Sequence, residues 1–128
     1  QAKEGKPLTI VGDGNIQRDF THVRDVVRAN ILAGNSDKVG SGEVINIGTG
    51  HNHSINEIAT MILASNIRQP KAVLAAALKD RRATYILPRL GETHKTLADN
   101  SKADKILGWK PLITVEEGII ELKDKAGL

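Results

Sequence analysis

Short β-branched runs alternate with helix-patterned stretches along these 128 residues. That alternation limits the chain to an α/β architecture with some parallel strand pairing. The run LTIV at 8–11 is bounded by Pro7 and by Gly12-Asp13-Gly14, which predicts a strand and then a turn. EVINIG at 43–48 has the clearest strand pattern, and TYIL at 84–87 a shorter one. Residues 18–23, RDFTHV, alternate polar and apolar, with Phe20 and Val23 expected to be buried.

Four to five helices fill the intervals. Val23, Val26, Val27, Asn30, Ile31 and Gly34 recur at helical spacing, which predicts a helix from about Arg24 with that face inward and Gly34-Asn35 as its stop. Ser54 with Glu57 three residues on is a capping box. It opens a helix whose stripe is Ile55, Ile58, Ala59, Ile62 and Leu63, with Gln69-Pro70 at its end. KAVLAAALKD at 71–80 has high helix propensity. A turn at 97–101 caps a helix over 102–107, which Gly108 to Pro111 stops. Thr114 and Glu117 form a second capping box for a last helix over 115–125, with Ile119, Ile120 and Leu122 inward. The opening QAKEGKP reads as a helix end with a Gly-Pro exit, so the chain is expected to be a fragment.

The length fits one domain, 1–128, or a piece of one. With one Phe, one Tyr and one Trp, the core is expected to be aliphatic. The absence of cysteine excludes disulfides and thiolate metal sites. No apolar run reaches the ~20 residues that span a bilayer, and no signal-peptide pattern opens the chain, so a soluble cytoplasmic protein is expected. The net charge is +3. Lys and Arg are interleaved with Asp and Glu, with no aromatic stacking platform, which argues against nucleic acid. A mildly basic pocket for an anionic small molecule fits the same balance.

Gly48-Thr49-Gly50 resembles half of a dinucleotide fingerprint, but its third position is His53, and Gly12-x-Gly14 leads into a strand-like run rather than a helix. Both read as plain turns. His51 and His53, with His22 and His94 elsewhere, do not make a metal set. The single tyrosine, Tyr85, has Arg89 four residues on, so no Tyr-x-x-x-Lys pair is present. What remains is Arg18 and Arg89, each near a glycine turn, in GDGNIQRDFTHVRD at 12–25 and PRLGE at 88–92. A planar guanidinium takes two oxygens of a phosphate at once, so two of them can converge on one diphosphate. The competing readings are a salt bridge of Arg18 with Asp19, Asp25 or another carboxylate, and a plain surface turn at Arg89.

Three blocks, GKPLTIVGDGNIQRDFTHVRDVVRANILA, GEVINIGTGHNHSINEIA and PRLGETHKTLADNSKADKILGWKPLITVEEGI, resemble the C-terminal, substrate-binding part of the NAD-dependent epimerase/dehydratase family. These extended short-chain dehydrogenases act on nucleotide sugars, and the blocks look most like those of UDP-glucose 4-epimerases. UDP-glucuronate decarboxylases and dTDP-glucose dehydratases share them. The resemblance implies that Arg18 and Arg89 hold the diphosphate of a UDP-sugar. It further implies that Glu92 takes ribose hydroxyls and that the backbone of the strand at Thr9 and Val11 meets the base. It implies no catalytic residue, cofactor ligand or metal ligand in this chain. NAD would be bound by the N-terminal Rossmann half, which these residues lack, in a parent isomerase expected to be a homodimer. The alternatives are a free-standing nucleotide-binding module, or a functionless fragment with residues such as Ile31 and Leu63 exposed.

Overall fold

The computed structural model describes residues 1–65 and 72–128. In chain order the elements are β1 (Leu8–Val11), β2 (Gln17–Arg18), α1 (Val23–Gly34), β3 (His53–Ser54), α2 (Ile55–Leu63), α3 (Val73–Lys79), β4 (Ala83–Ile86), α4 (Ser101–Leu107) and α5 (Val115–Ala126). Strands β1 and β4 pair in parallel, Leu8 opposite Ala83 through Val11 opposite Ile86. Strands β2 and β3 pair antiparallel through Gln17–Ser54 and Arg18–His53. The α/β class with partly parallel short strands is the architecture the alternation predicted.

Both capping boxes form. The Ser54 hydroxyl accepts from Glu57 N, and the Glu57 carboxylate accepts from Ser54 N; Thr114 and Glu117 do the same at α5. Such caps satisfy donors that a helix start leaves unpaired. At α1 the cap is His22, whose Nδ1 accepts from Arg24 N at 3.2 Å. The expected stop at Gln69-Pro70 and the first residue of the 71–80 stretch lie outside the described residues.

Two small cores form. In the first, Ile10, Ala59, Ala77 and Ala83 are buried, with Leu8, Ile55, Leu63, Leu74 and Leu78 packed around them. It joins the parallel strand pair to α2 and α3, and it takes up Leu63, which the fragment reading expected on the surface. The second gathers Ala29, Ala103 and Trp109, with Leu32, Ile45, Ile47 and Leu107. The expectation of a purely aliphatic core is corrected there, because Trp109 is fully buried. Its Nε1 donates to Asp25 O at 2.9 Å, which satisfies the one polar atom of the ring.

The inward face of α1 is not the predicted one. Asp25 and Ala29 are buried, whereas Val23, Val27 and Ile31 are 68%, 50% and 58% exposed. Ala29 is small enough to let α1 approach α4 and Trp109, so packing selects that face over the more apolar valine stripe. In α5 only Ile119 of the three expected inward residues is buried; Ile120 and Leu122 are exposed. Nor do residues 43–48 form a strand. Among the described residues no strand lies beside them to complete a ladder. Side chains of the α4 region take their carbonyls instead: Lys102 Nζ donates to Val44 O and Asn100 Nδ2 to Gly48 O, each at 2.8 Å.

Candidate functional site

The two stretches around Arg18 and Arg89 run side by side. Gly12 N donates to Ile86 O at 2.9 Å, Gln17 N to His94 O at 2.9 Å and Thr96 N to Gln17 O at 3.2 Å. A Cβ at Gly12 would lie 3.6 Å from Pro88 Cβ. The turn between β1 and β2 is held by Asn56, at the start of α2, whose Nδ2 donates to Asp13 O at 2.9 Å. Gly14 in that turn has φ +72°, and a Cβ there would meet Asn56 Oδ1 at 2.0 Å. Only glycine fits this place. The Tyr85 hydroxyl donates to the same Asn56 Oδ1, so the single tyrosine is spent on the turn.

Arg18 and Glu92 come together across 74 residues of sequence. Arg18 Nη2 lies 3.2 Å from Glu92 Oε1, while Nη1 donates to Gln17 O at 2.9 Å and to Thr93 O at 2.7 Å. Three of its five N–H donors are thereby engaged by described residues, and two remain. The carboxylate beside Arg18 is therefore Glu92, neither Asp19 nor Asp25. Glu92 Oε2 is buried and has no partner among the described residues. A buried acceptor left unpaired costs about 1–3 kcal/mol, so that oxygen favours a donor. Arg89 is exposed on the PRLGE turn and bonds no described residue through its side chain. Leu90 beside it is also fully exposed.

Thr9 and Val11 lie on the outer edge of β1. Leu8 N and Gly12 N bond β4 and its flank, at Arg82 O and Ile86 O. The two-residue period of a strand therefore turns the amides of Thr9 and Val11 the other way. Thr9 N donates there to Gln1 Oε1 at 3.2 Å.

The residues that bind the site's surroundings together were missed in the sequence. Asp19 holds the Gly48–Gly50 turn: its Oδ1 accepts from Thr49 N at 2.8 Å and Thr49 Oγ1 at 2.6 Å. Its Oδ2 accepts from Gly50 N at 2.9 Å and Ala98 N at 3.2 Å. Burial opposes ionisation of Asp19, but these four bonds outweigh it and hold the carboxyl below its ordinary range. The arrangement also bears on a dinucleotide. The amides of Thr49 and Gly50, which would have to face a pyrophosphate, already face a carboxylate. The turn at Gly12 leads into β2 and offers no helix N-terminus. Neither of these two glycine turns therefore offers the cradle of a dinucleotide fingerprint.

Asp25 plays the same part beneath the second core. Its Oδ2 accepts from Leu112 N and Ile113 N, each at 3.0 Å, and its Oδ1 from Arg28 at 3.0 Å. Arg28 in turn lies over the Trp109 ring, 5.5 Å from its centroid. No local pattern singles out Asp19 or Asp25, because the backbone amides they hold lie 30 to 88 residues away. No group of three histidine or carboxylate side chains suited to a metal gathers among the described residues. No described helix is long and apolar enough to cross a membrane.

The chain is similar to known proteins along nearly its whole length. The sequence family described as GDP-mannose 4,6 dehydratase matches residues 1–122. The UDP-glucose 4-epimerase of Mycolicibacterium smegmatis is 34% identical over 115 residues, which cover 90% of this chain and 33% of that protein. The dTDP-glucose 4,6-dehydratase of Salmonella typhimurium is 36% identical over 118 residues, covering 92% of this chain and 31% of that one. Among solved structures, UDP-glucuronic acid 4-epimerase from Bacillus cereus, in complex with UDP-glucuronic acid and NAD, aligns with a TM-score of 0.79 at 33% identity. That alignment covers 99% of this chain and 37% of the enzyme. The chain spans about a third of the length of the curated relatives it matches.

Proposed function

Because the chain belongs to the NAD-dependent epimerase/dehydratase family, we propose that it is the nucleotide-sugar-binding part of a UDP-glucose 4-epimerase-like enzyme. The observation that carries this reading is the meeting of Arg18 with Glu92, whose Oε2 is buried and has no partner among the described residues. In the proposed site Arg18 and Arg89 take the diphosphate and Glu92 takes ribose hydroxyls. The outer edge of β1 at Thr9 and Val11 meets the base. Guanidinium donors match phosphate oxygens, and a carboxylate matches a diol. Such a site grips and orients a sugar for chemistry carried elsewhere. The chain has no Tyr-x-x-x-Lys pair, and its glycine turns do not fit a dinucleotide. In this reading NAD and the reacting residues belong to the rest of a cytoplasmic, homodimeric parent, and the chain alone turns nothing over.

The similarity to a dTDP-glucose 4,6-dehydratase favours a second reading, in which the parent is a dehydratase on a thymidine nucleotide sugar.

The test is a calorimetric titration with UDP, repeated on Arg18→Ala and Arg89→Ala. Each arginine is expected to contribute about 1.5–3 kcal/mol, the range for hydrogen bonds to charged groups. Wild-type binding that survives both substitutions would show that neither arginine holds the diphosphate.

A further inference from the structure

The outer edge of β1 already carries an amide-like occupant. Gln1 is fixed at its backbone, where its carbonyl accepts from Glu4 N at 3.1 Å and Lys6 N at 2.9 Å. Its side chain reaches across to Thr9. Oε1 accepts from the Thr9 amide at 3.2 Å, and Nε2 donates to the Thr9 hydroxyl at 3.1 Å. Thr9 thus presents one donor and one acceptor side by side, and a planar O=C–N–H edge bridges both.

That edge is the hydrogen-bonding edge of an imide. Uracil and thymine each present a ring carbonyl next to N3–H. We propose that Gln1 is an intramolecular competitor for the nucleobase, its carboxamide occupying the place on Thr9 that the imide edge of a uracil or thymine base would take. The inference rests on the nucleotide-sugar reading above and adds to it the group that a base must displace. Both Gln1 and Thr9 are exposed, so the contact is open to exchange with a ligand. The twofold backbone anchoring of Gln1 keeps the carboxamide within reach, at high effective concentration.

The experiment compares the full chain with Gln1→Ala in titrations with UDP and with inorganic pyrophosphate. Removing the competitor is expected to tighten UDP binding about three- to tenfold, the scale set by one or two exposed hydrogen bonds. Pyrophosphate binding is expected to be unchanged, since pyrophosphate has no base. Thr9→Val, which keeps the shape but removes the hydroxyl, is expected to weaken UDP and leave pyrophosphate alone. UDP affinity that is unchanged or weaker in Gln1→Ala overturns the competitor, while the diphosphate site stands if pyrophosphate still binds. Failure of the wild type to bind either ligand overturns the nucleotide-sugar reading and the competitor together.

Discussion

Asp25 is the residue on which the second core hangs. It is 1% exposed and joins α1 to the 112–113 turn, to Arg28 and, through its carbonyl, to Trp109. Burial by itself disfavours its ionised form, but the amides of Leu112 and Ile113 and the Arg28 guanidinium outweigh that. Its pKa accordingly lies below the ordinary 3.8. A carboxyl depressed in the folded state contributes stability above its unfolded pKa and loses it as pH falls through the folded value. The protein should therefore weaken as pH drops below about 4, the ordinary carboxylate range. Asp25→Ala strands the Arg28 charge and two amides, and it should cost about 3–5 kcal/mol in urea denaturation. It should also flatten the acid limb of the stability profile. A loss below about 1 kcal/mol, the scale of a single ordinary hydrogen bond, would show that water replaces Asp25 at no great penalty.

At the scale of elements, helix starts and the face of α2 were legible, whereas the buried faces of α1 and α5 were not. The boxes at Ser54–Glu57 and Thr114–Glu117 formed as their spacing predicted, because a cap is decided within four residues. The C-terminus of α3 went unread. There Arg81 N donates to Leu78 O and Arg82 N to Ala77 O, with Arg81 at φ +59°. This is the Schellman arrangement, in which the left-handed residue is usually glycine. A non-glycine residue at such an angle costs about 1–2 kcal/mol. Arg81→Gly should recover about 1 kcal/mol, read as a higher urea midpoint at constant slope. A lowered midpoint would mean that the arginine side chain stabilises the turn by more than its backbone costs. Strand 43–48 failed for the opposite reason. Its alternation is real, with Ile45 and Ile47 packed on the second core and Val44 78% exposed, but a strand needs a neighbour.

At the scale of the molecule, the outward stripe of α1 is the conspicuous surface. Val23, Val27 and Ile31 share it, and Val44, Leu87 and Leu90 are exposed elsewhere. Contiguous apolar surface promotes association. Sedimentation velocity over a concentration series should show the chain self-associating. The double variant Val27→Lys/Ile31→Lys should shift it toward monomer with little change in melting temperature, because both side chains are exposed. A wild-type chain that stays monomeric throughout would show that the stripe is not an associating surface.

The sequence by itself determined what is local or carried by motif. That comprises strands β1 and β4, the two boxed caps, the glycine turns at 12–14 and 48–50 and the three family blocks. Propensity, cap chemistry and turn geometry act over a few residues, so they can be read along the chain. The tertiary structure alone decided which face of α1 is buried, that Trp109 centres a core, and that Asp19 and Asp25 serve as acceptors for distant amides. It alone set Glu92 against Arg18. Each of these depends on which groups arrive from tens of residues away to share a burial or satisfy a charge, and no short-range pattern records that arrival.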